Sequence, residues 1–338
     1  MSLSDFIRDK EWYDNAFLDL VLSCPRKAFY SRVYNLSMGV GPGADFGSCI
    51  HAGIASYYLW WNKCPEEKRR LKAFRAFLSL HEKLFKGPRA EELDNKHSRD
   101  AGVLMLDHYF DTHFAEDELL QPVEIELAGA IEIKPQPTDP FHFKPFWYTF
   151  RIDGIHKRLR YGDFWIRETK TTSGGASREL KKLKLSRQPT GYLWCARQFP
   201  GVIAAGVIPD VVSVAAKTRE ALRDFYFKSQ KQTEDWRLQT INIVEYWRQL
   251  VRLGVIERDE DYNPIKVDLN QFYQNTKECT TYGLCAYYAL CDFGINSTTL
   301  RAFQPNTWNP LANVDEIPDE VQKQTVQEED RIKESIKL

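Results

Sequence analysis

Trp147-Tyr148-Thr149-Phe150-Arg151-Ile152-Asp153-Gly154-Ile155 is followed, after a turn at Tyr161-Gly162-Asp163, by Phe164-Trp165-Ile166-Arg167-Glu168-Thr169-Lys170. Both runs are rich in aromatic and β-branched residues, so they are read as the two strands of a β-hairpin. Asp153 lies on the outgoing strand and Glu168 near the end of the returning one, and pairing about the turn can bring their carboxylates together. Glu168 and Lys170 are two apart and therefore share a strand face. The resulting pattern is D-(x14)-E-x-K. Two carboxylates and an ammonium on one face make a site for a hard divalent cation and an activated water. That is the equipment of phosphodiester cleavage.

Charge around the hairpin points the same way. Residues 156–187 hold ten Lys or Arg against three acids, a local net of +7, although the whole chain carries only −1. The segment Leu311–Leu338, with eight acids against four bases, cancels part of it. A basic stretch beside a carboxylate site suits a polyanionic substrate. A chain of 338 residues, 43% of them hydrophobic, can bury a full core. No window approaches eighteen unbroken apolar residues, so no transmembrane helix is expected. Met1-Ser2-Leu3-Ser4-Asp5 lacks the basic and apolar regions of a signal peptide, so an intracellular location without a membrane partner is expected. Seven cysteines in such a compartment are read as ligands or buried thiols rather than disulfides.

Away from the hairpin, residues 1–36 read as helical, with Trp12, Phe17, Leu20, Val21 and Leu22 giving an apolar stripe before Cys24-Pro25. Gly39, Gly41, Pro42 and Gly43 mark a loop, and a helix is expected from about Phe46 to Trp61. Pro65-Glu66-Glu67 opens another helix, and residues 97–116 suggest a third. Strands begin at Pro122-Val123-Glu124-Ile125-Glu126-Leu127 and continue to Thr171, where Gly174-Gly175 ends them. Pro189 is placed in the first turn of the helix carrying Tyr192. Val202 to Ala216 reads as strand interrupted around Pro209, and helix resumes from about Glu234 to Leu253. The expected organisation is an N-terminal helical segment 1–45, a core 46–255 with a helical insertion 62–118, a cysteine-bearing segment 256–304, and a polar, partly ordered tail 305–338.

These residues resemble the PD-(D/E)xK nuclease superfamily and, within it, the RecB-type branch that includes the iron–sulfur exonucleases of recombination and of CRISPR adaptation. Three further matches fall in that branch's order. Gly47-Ser48-Cys49-Ile50-His51 looks like its helical G-x-x-x-H element, whose histidine is a metal ligand. Gln188-Pro189-Thr190-Gly191-Tyr192 is similar to its Q-x-x-x-Y motif, where a spacing of four puts both side chains near one helix face. Ser23-Cys24-Pro25-Arg26-Lys27-Ala28-Phe29-Tyr30 resembles its N-terminal C-P-R-K-x-[FY]-[FY] segment, and Cys279, Cys285 and Cys291 form a downstream C-x5-C-x5-C set. The family spacing is C-x2-C-x5-C, so the first gap is wider here, and Phe150 stands where the family often has glycine.

The resemblance implies a restriction-endonuclease-like α/β core: a central mixed sheet flanked by helices, with N- and C-terminal helical segments joined by a cysteine-ligated cluster. It implies Mg²⁺ or Mn²⁺ held by His51, Asp153 and Glu168, with Lys170, Gln188 and Tyr192 completing the catalytic set. Glu124 or Glu126 would add an outer carboxylate. Cys24, Cys279, Cys285 and Cys291 would bind a 4Fe–4S cluster, with zinc as the alternative. Arg178, Lys181, Lys182, Lys184 and Arg187 would grip DNA phosphates without reading sequence. The implied activity is a metal-dependent DNA exonuclease acting on ends or single strands in recombination or repair, partnered by a helicase or recombinase. The alternative is a catalytically silent DNA-end-binding or scaffolding subunit with a structural zinc or iron–sulfur site.

Overall fold

The computed structural model describes residues 11–39, 41–86, 94–214, 219–259, 264–281 and 283–305. They divide into two units, one drawing on residues 11–39, 130–149 and 235–305, the other on residues 41–129 and 150–234. The expected tail beyond residue 305 and the first ten residues lie outside the described residues. Among the described residues no helix is long and apolar enough to cross a membrane.

The first unit opens with a short strand β1 (Trp12–Tyr13), then α1 (Asn15–Ser23), α2 (Pro25–Arg32) and β2 (Leu36–Ser37). Trp12 was expected on a helix. Instead Trp12 and Tyr13 pair in parallel with Trp147 and Tyr148, because Asp14 stops the strand and caps α1, its side chain accepting from the Phe17 amide at 2.7 Å. Cys24 caps the next helix, with Pro25 in its first turn. β2 pairs with Gln304–Pro305. Side chains tie these N-terminal elements to the unit's C-terminal segment: Arg26 donates to the carbonyls of Phe272 and Leu269, and Phe29 packs on Phe272 with ring centroids 4.3 Å apart.

The second unit begins with α3 (Pro42–Leu59), α4 (Glu66–Leu84) and α5 (Arg99–Asp117), continues through β3 (Leu120–Ile133), β4 (Phe146–Arg158) and β5 (Phe164–Thr172), then α6 (Ala176–Leu185), α7 (Arg187–Ala196), β6 (Ala204–Val214), β7 (Arg219–Arg223) and β8 (Tyr226–Phe227). The first four residues of β4 and the last four of β3 belong to the first unit. β3 pairs with β4, β4 runs antiparallel to β5, β5 parallel to β6, and β6 antiparallel to both β7 and β8. A mixed sheet results. Val211 and Val212 are neighbours on β6 and so point to opposite faces. Val212 joins the core of α3, α4 and α5 with Phe46, Ile54, Phe77, Leu106 and Phe110, while Val211 packs under Ala176 and Leu183 of α6. Helices therefore cover both faces.

Two local expectations change. Helix α3 starts four residues before Phe46, because Pro42 is its first-turn proline rather than part of a loop. β6 runs unbroken through Pro209. On one edge of β6 the pairing with β8 ends at Val207 and that with β7 begins at Asp210, so the proline sits in a gap of the ladder. Residues 215 and 216, expected as strand, lie outside the described residues.

Candidate active site

Asp153 stands just past the end of the β4–β5 ladder, whose last backbone pair is Gly154 with Arg167. Its carboxylate supplies an acceptor that the strand no longer does: Oδ2 takes the Thr169 amide at 2.6 Å. Turn chemistry at the other end sets this register. Gly162 adopts φ +73°, and Arg158 grips the Asp163 carboxylate with two hydrogen bonds.

Helix α3 delivers His51 to the same place. A Cβ on Gly47 would lie 2.6 Å from Thr171 Oγ1, so glycine is what lets the helix lie against β5. One turn later, His51 Nδ1 is 3.6 Å from Asp153 Oδ2. Glu126 on β3 completes the group: ligand atoms of His51, Glu126 and Asp153 lie within 4.8 Å of one another. Among the described residues no other set of three such side chains does so. Glu126 holds φ +56°, the left-handed region that side chains other than glycine seldom adopt. That conformation costs on the order of 1–3 kcal/mol. Its Oε2 accepts from Arg151 Nε at 2.6 Å.

Glu168 and Lys170 form the adjoining pair, with Nζ 2.6 Å from Oε1 and Glu168 only 1% exposed. Apart from that ammonium, neither Glu168 oxygen has a hydrogen-bond partner among the described residues. Burial pushes the Glu168 carboxyl up to about 7, and the charge of Asp153 adds to it against the pull of Lys170. For Asp153, burial also pushes upward, but His51, Lys170 and the Thr169 amide prevail and lower it. Burial pulls the His51 imidazole and the Lys170 ammonium down; the surrounding carboxylates overcome it, so both are raised.

Gln188 and Tyr192 sit on α7, with Gln188 Nε2 donating to Tyr192 Oη at 2.9 Å. Burial, and then the charge of Glu168, raise the Tyr192 phenol. A cavity of about 940 Å³ opens over His51, Glu126, Asp153 and Lys170, and Gln188 and Tyr192 line it too. Arg178, Lys181 and Lys182 are exposed on α6. Lys182 pairs with Glu179 at 2.8 Å, while Lys184 pairs with Asp224.

One member of the basic stretch is placed elsewhere. Arg167, counted toward a polyanion surface, is 1% exposed and belongs to a buried network. It faces Asp210 at 3.3 Å and Asp117 at 3.6 Å, and it stacks over the Tyr58 ring. Arg223 binds the same two carboxylates at 2.5 and 2.8 Å. No spacing in the sequence announces this set, since its members come from α3, α5, β5, β6 and β7.

Cys24, Cys279, Cys285 and Cys291 are all in the first unit, and none is in a disulfide. Burial raises the Cys291 thiol, and Cys24 and Cys285 are near enough to bear on it. Cys49 and Cys195 are fully buried in the second unit.

A family model described as PD-(D/E)XK nuclease superfamily matches residues 17–292. Two solved structures are similar. The protein SSO0001 shares 14% identity with a TM-score of 0.36, covering 85% of this chain and 88% of that one. A protein described as a "Putative exonuclease" from Eubacterium rectale shares 8% identity with a TM-score of 0.45, covering 84% of this chain and 99% of that one. No curated protein matches.

Proposed function

The chain belongs to the PD-(D/E)XK nuclease superfamily, and on that premise we propose that it is a metal-dependent DNA nuclease of the RecB type, hydrolysing phosphodiester bonds exonucleolytically at ends or in single strands. The observation that carries this reading is the meeting of His51 and Asp153, from one helix and one strand, on a cavity that Lys170 also lines, with the buried Glu168 paired to Lys170.

The donor set fits a divalent cation. His51, Asp153 and Glu168 would hold it: His51 and Asp153 face each other at 3.6 Å, and Glu168, buried with the Lys170 ammonium 2.6 Å from its Oε1, offers the remaining carboxylate. A bound cation supplies a polarised phosphoryl oxygen and a water of lowered pKa. Lys170 orients the attacking water and steadies the negative charge that develops on the phosphoryl group. Gln188 and Tyr192, hydrogen-bonded to each other on the cavity wall, hold the substrate strand, and the Tyr192 ring can stack on a base. Arg178, Lys181, Lys182, Lys184 and Arg187 bind phosphates along the strand.

We propose also that the four cysteines carry a 4Fe–4S cluster. Four free thiols in one unit, with Cys24 and Cys285 both near Cys291, suit soft iron. A helicase or recombinase is the partner that this activity would serve. The test is digestion of end-labelled linear and of circular DNA with Mg²⁺ and with Mn²⁺. Loss of linear DNA alone supports the exonuclease; cutting of circles shows an endonuclease; no digestion of either refutes the reading. Protein purified without oxygen should be brown, and a colourless protein holding zinc would overturn the cluster.

A further inference from the structure

The sequence leaves open whether Glu124 or Glu126 adds a carboxylate and gives Arg151 no role, yet Glu126 and Arg151 both line the cavity and touch each other. We propose that Glu126 is a further cation ligand beside His51 and Asp153, and that Arg151 is its exchange partner, holding the carboxylate until an ion arrives and then turning to a substrate phosphate. The inference rests on the nuclease reading and deepens it.

Three observations support it. Glu126 offers a carboxylate oxygen within 4.8 Å of ligand atoms of both His51 and Asp153. Its backbone is held in the left-handed region inside a strand, so the chain departs from regular geometry at the residue that joins the group. Its Oε2 is already bound by Arg151 Nε at 2.6 Å. A dication and a guanidinium repel each other and compete for that carboxylate, so loading the ion loosens Arg151. The Arg151 side chain is 26% exposed and lies on the same cavity wall, and a planar guanidinium matches phosphate bidentately. Ion binding and strand binding are thereby coupled, and by linkage the strand must tighten the ion as much as the ion tightens the strand.

The test measures Mn²⁺ binding by the full chain without DNA, from the loss of the free-ion electron paramagnetic resonance signal, together with KM on labelled DNA. Glu126→Gln should weaken Mn²⁺ binding about tenfold or more. Arg151→Gln should tighten Mn²⁺ binding and raise KM with a smaller change in kcat. The double variant Glu126→Gln/Arg151→Gln, which leaves no unpaired charge at this pair, should bind Mn²⁺ as weakly as Glu126→Gln. Wild-type Mn²⁺ affinity in Glu126→Gln while Asp153→Asn loses it would remove Glu126 from the ligand set. Weaker Mn²⁺ binding in Arg151→Gln would make Arg151 a fixed strut and overturn the exchange. Normal Mn²⁺ binding in Asp153→Asn as well would refute the metal centre itself, a different failure from that of Glu126.

Discussion

Asp153 accepts the main-chain amide of Thr169 at 2.6 Å, one residue past the last backbone pair of its hairpin. The same oxygen faces His51. One carboxylate thus both secures the opening between two strands and presents charge to the cavity. Its two roles can be separated. Asp153→Asn keeps an acceptor for Thr169, so its unfolding midpoint should stay close to wild type while cation binding and hydrolysis are lost. Asp153→Ala should in addition cost about 1–3 kcal/mol, the penalty of an orphaned amide. Urea titrations of the two variants check this; equal stability would mean that the Thr169 contact contributes nothing.

Gly47 makes a second prediction, because its hydrogen is all that separates α3 from β5. Gly47→Ala sets a methyl 2.6 Å from Thr171 Oγ1 and should push His51 away from Asp153. Destabilisation of about 1–3 kcal/mol and weakened Mn²⁺ binding are expected. Adding Thr171→Ala removes the oxygen and should restore much of the ion affinity. If the double variant binds as poorly as the single one, the close approach is not what places His51.

Much of this site was legible because its signals are local. Aromatic and β-branched runs on either side of Tyr161-Gly162-Asp163 specify the hairpin, and the spacing from Gly47 to His51 is one helical turn. Glu126 was harder. Glu124 and Glu126 are two apart on one strand, and it takes the backbone turn at φ +56° and the burial of Glu126 to distinguish them. The Arg167 network could not be read at all, since charged residues are read as surface until their distant partners are known. Pro209 misled for a related reason: whether a strand tolerates proline depends on which neighbour ends beside it.

That network governs acid stability. Burial alone would raise Asp210, but Arg223 and Arg167 hold its carboxyl down at about 2. A folded value below the unfolded one of about 3.9 means stability that is complete above pH 4 and is lost as pH falls toward 2. The contribution is about 2–3 kcal/mol. Asp210→Asn leaves two buried guanidinium groups short of charge and should cost about 3–5 kcal/mol at pH 7. The gap between variant and wild type should narrow between pH 4 and pH 2. A gap that is constant across that range would show that ionisation of Asp210 is not its source.

Metal choice follows from the imidazole. Mg²⁺ prefers oxygen ligands, whereas Mn²⁺ accepts nitrogen readily. With His51 in the ligand set, Mn²⁺ should support hydrolysis at least as well as Mg²⁺. His51→Ala should lose more activity in Mn²⁺ than in Mg²⁺. Equal losses would argue that the imidazole does not touch the ion.

Lys170, paired with a buried Glu168 beside the cavity, is where phosphodiester hydrolysis is tested most directly. Wild type and Lys170→Ala, each shown to be folded by circular dichroism, should be compared on end-labelled linear DNA in Mn²⁺. The wild type should release labelled nucleotides and the variant should release almost none. Equal release by the two proteins would contradict the assignment of this site.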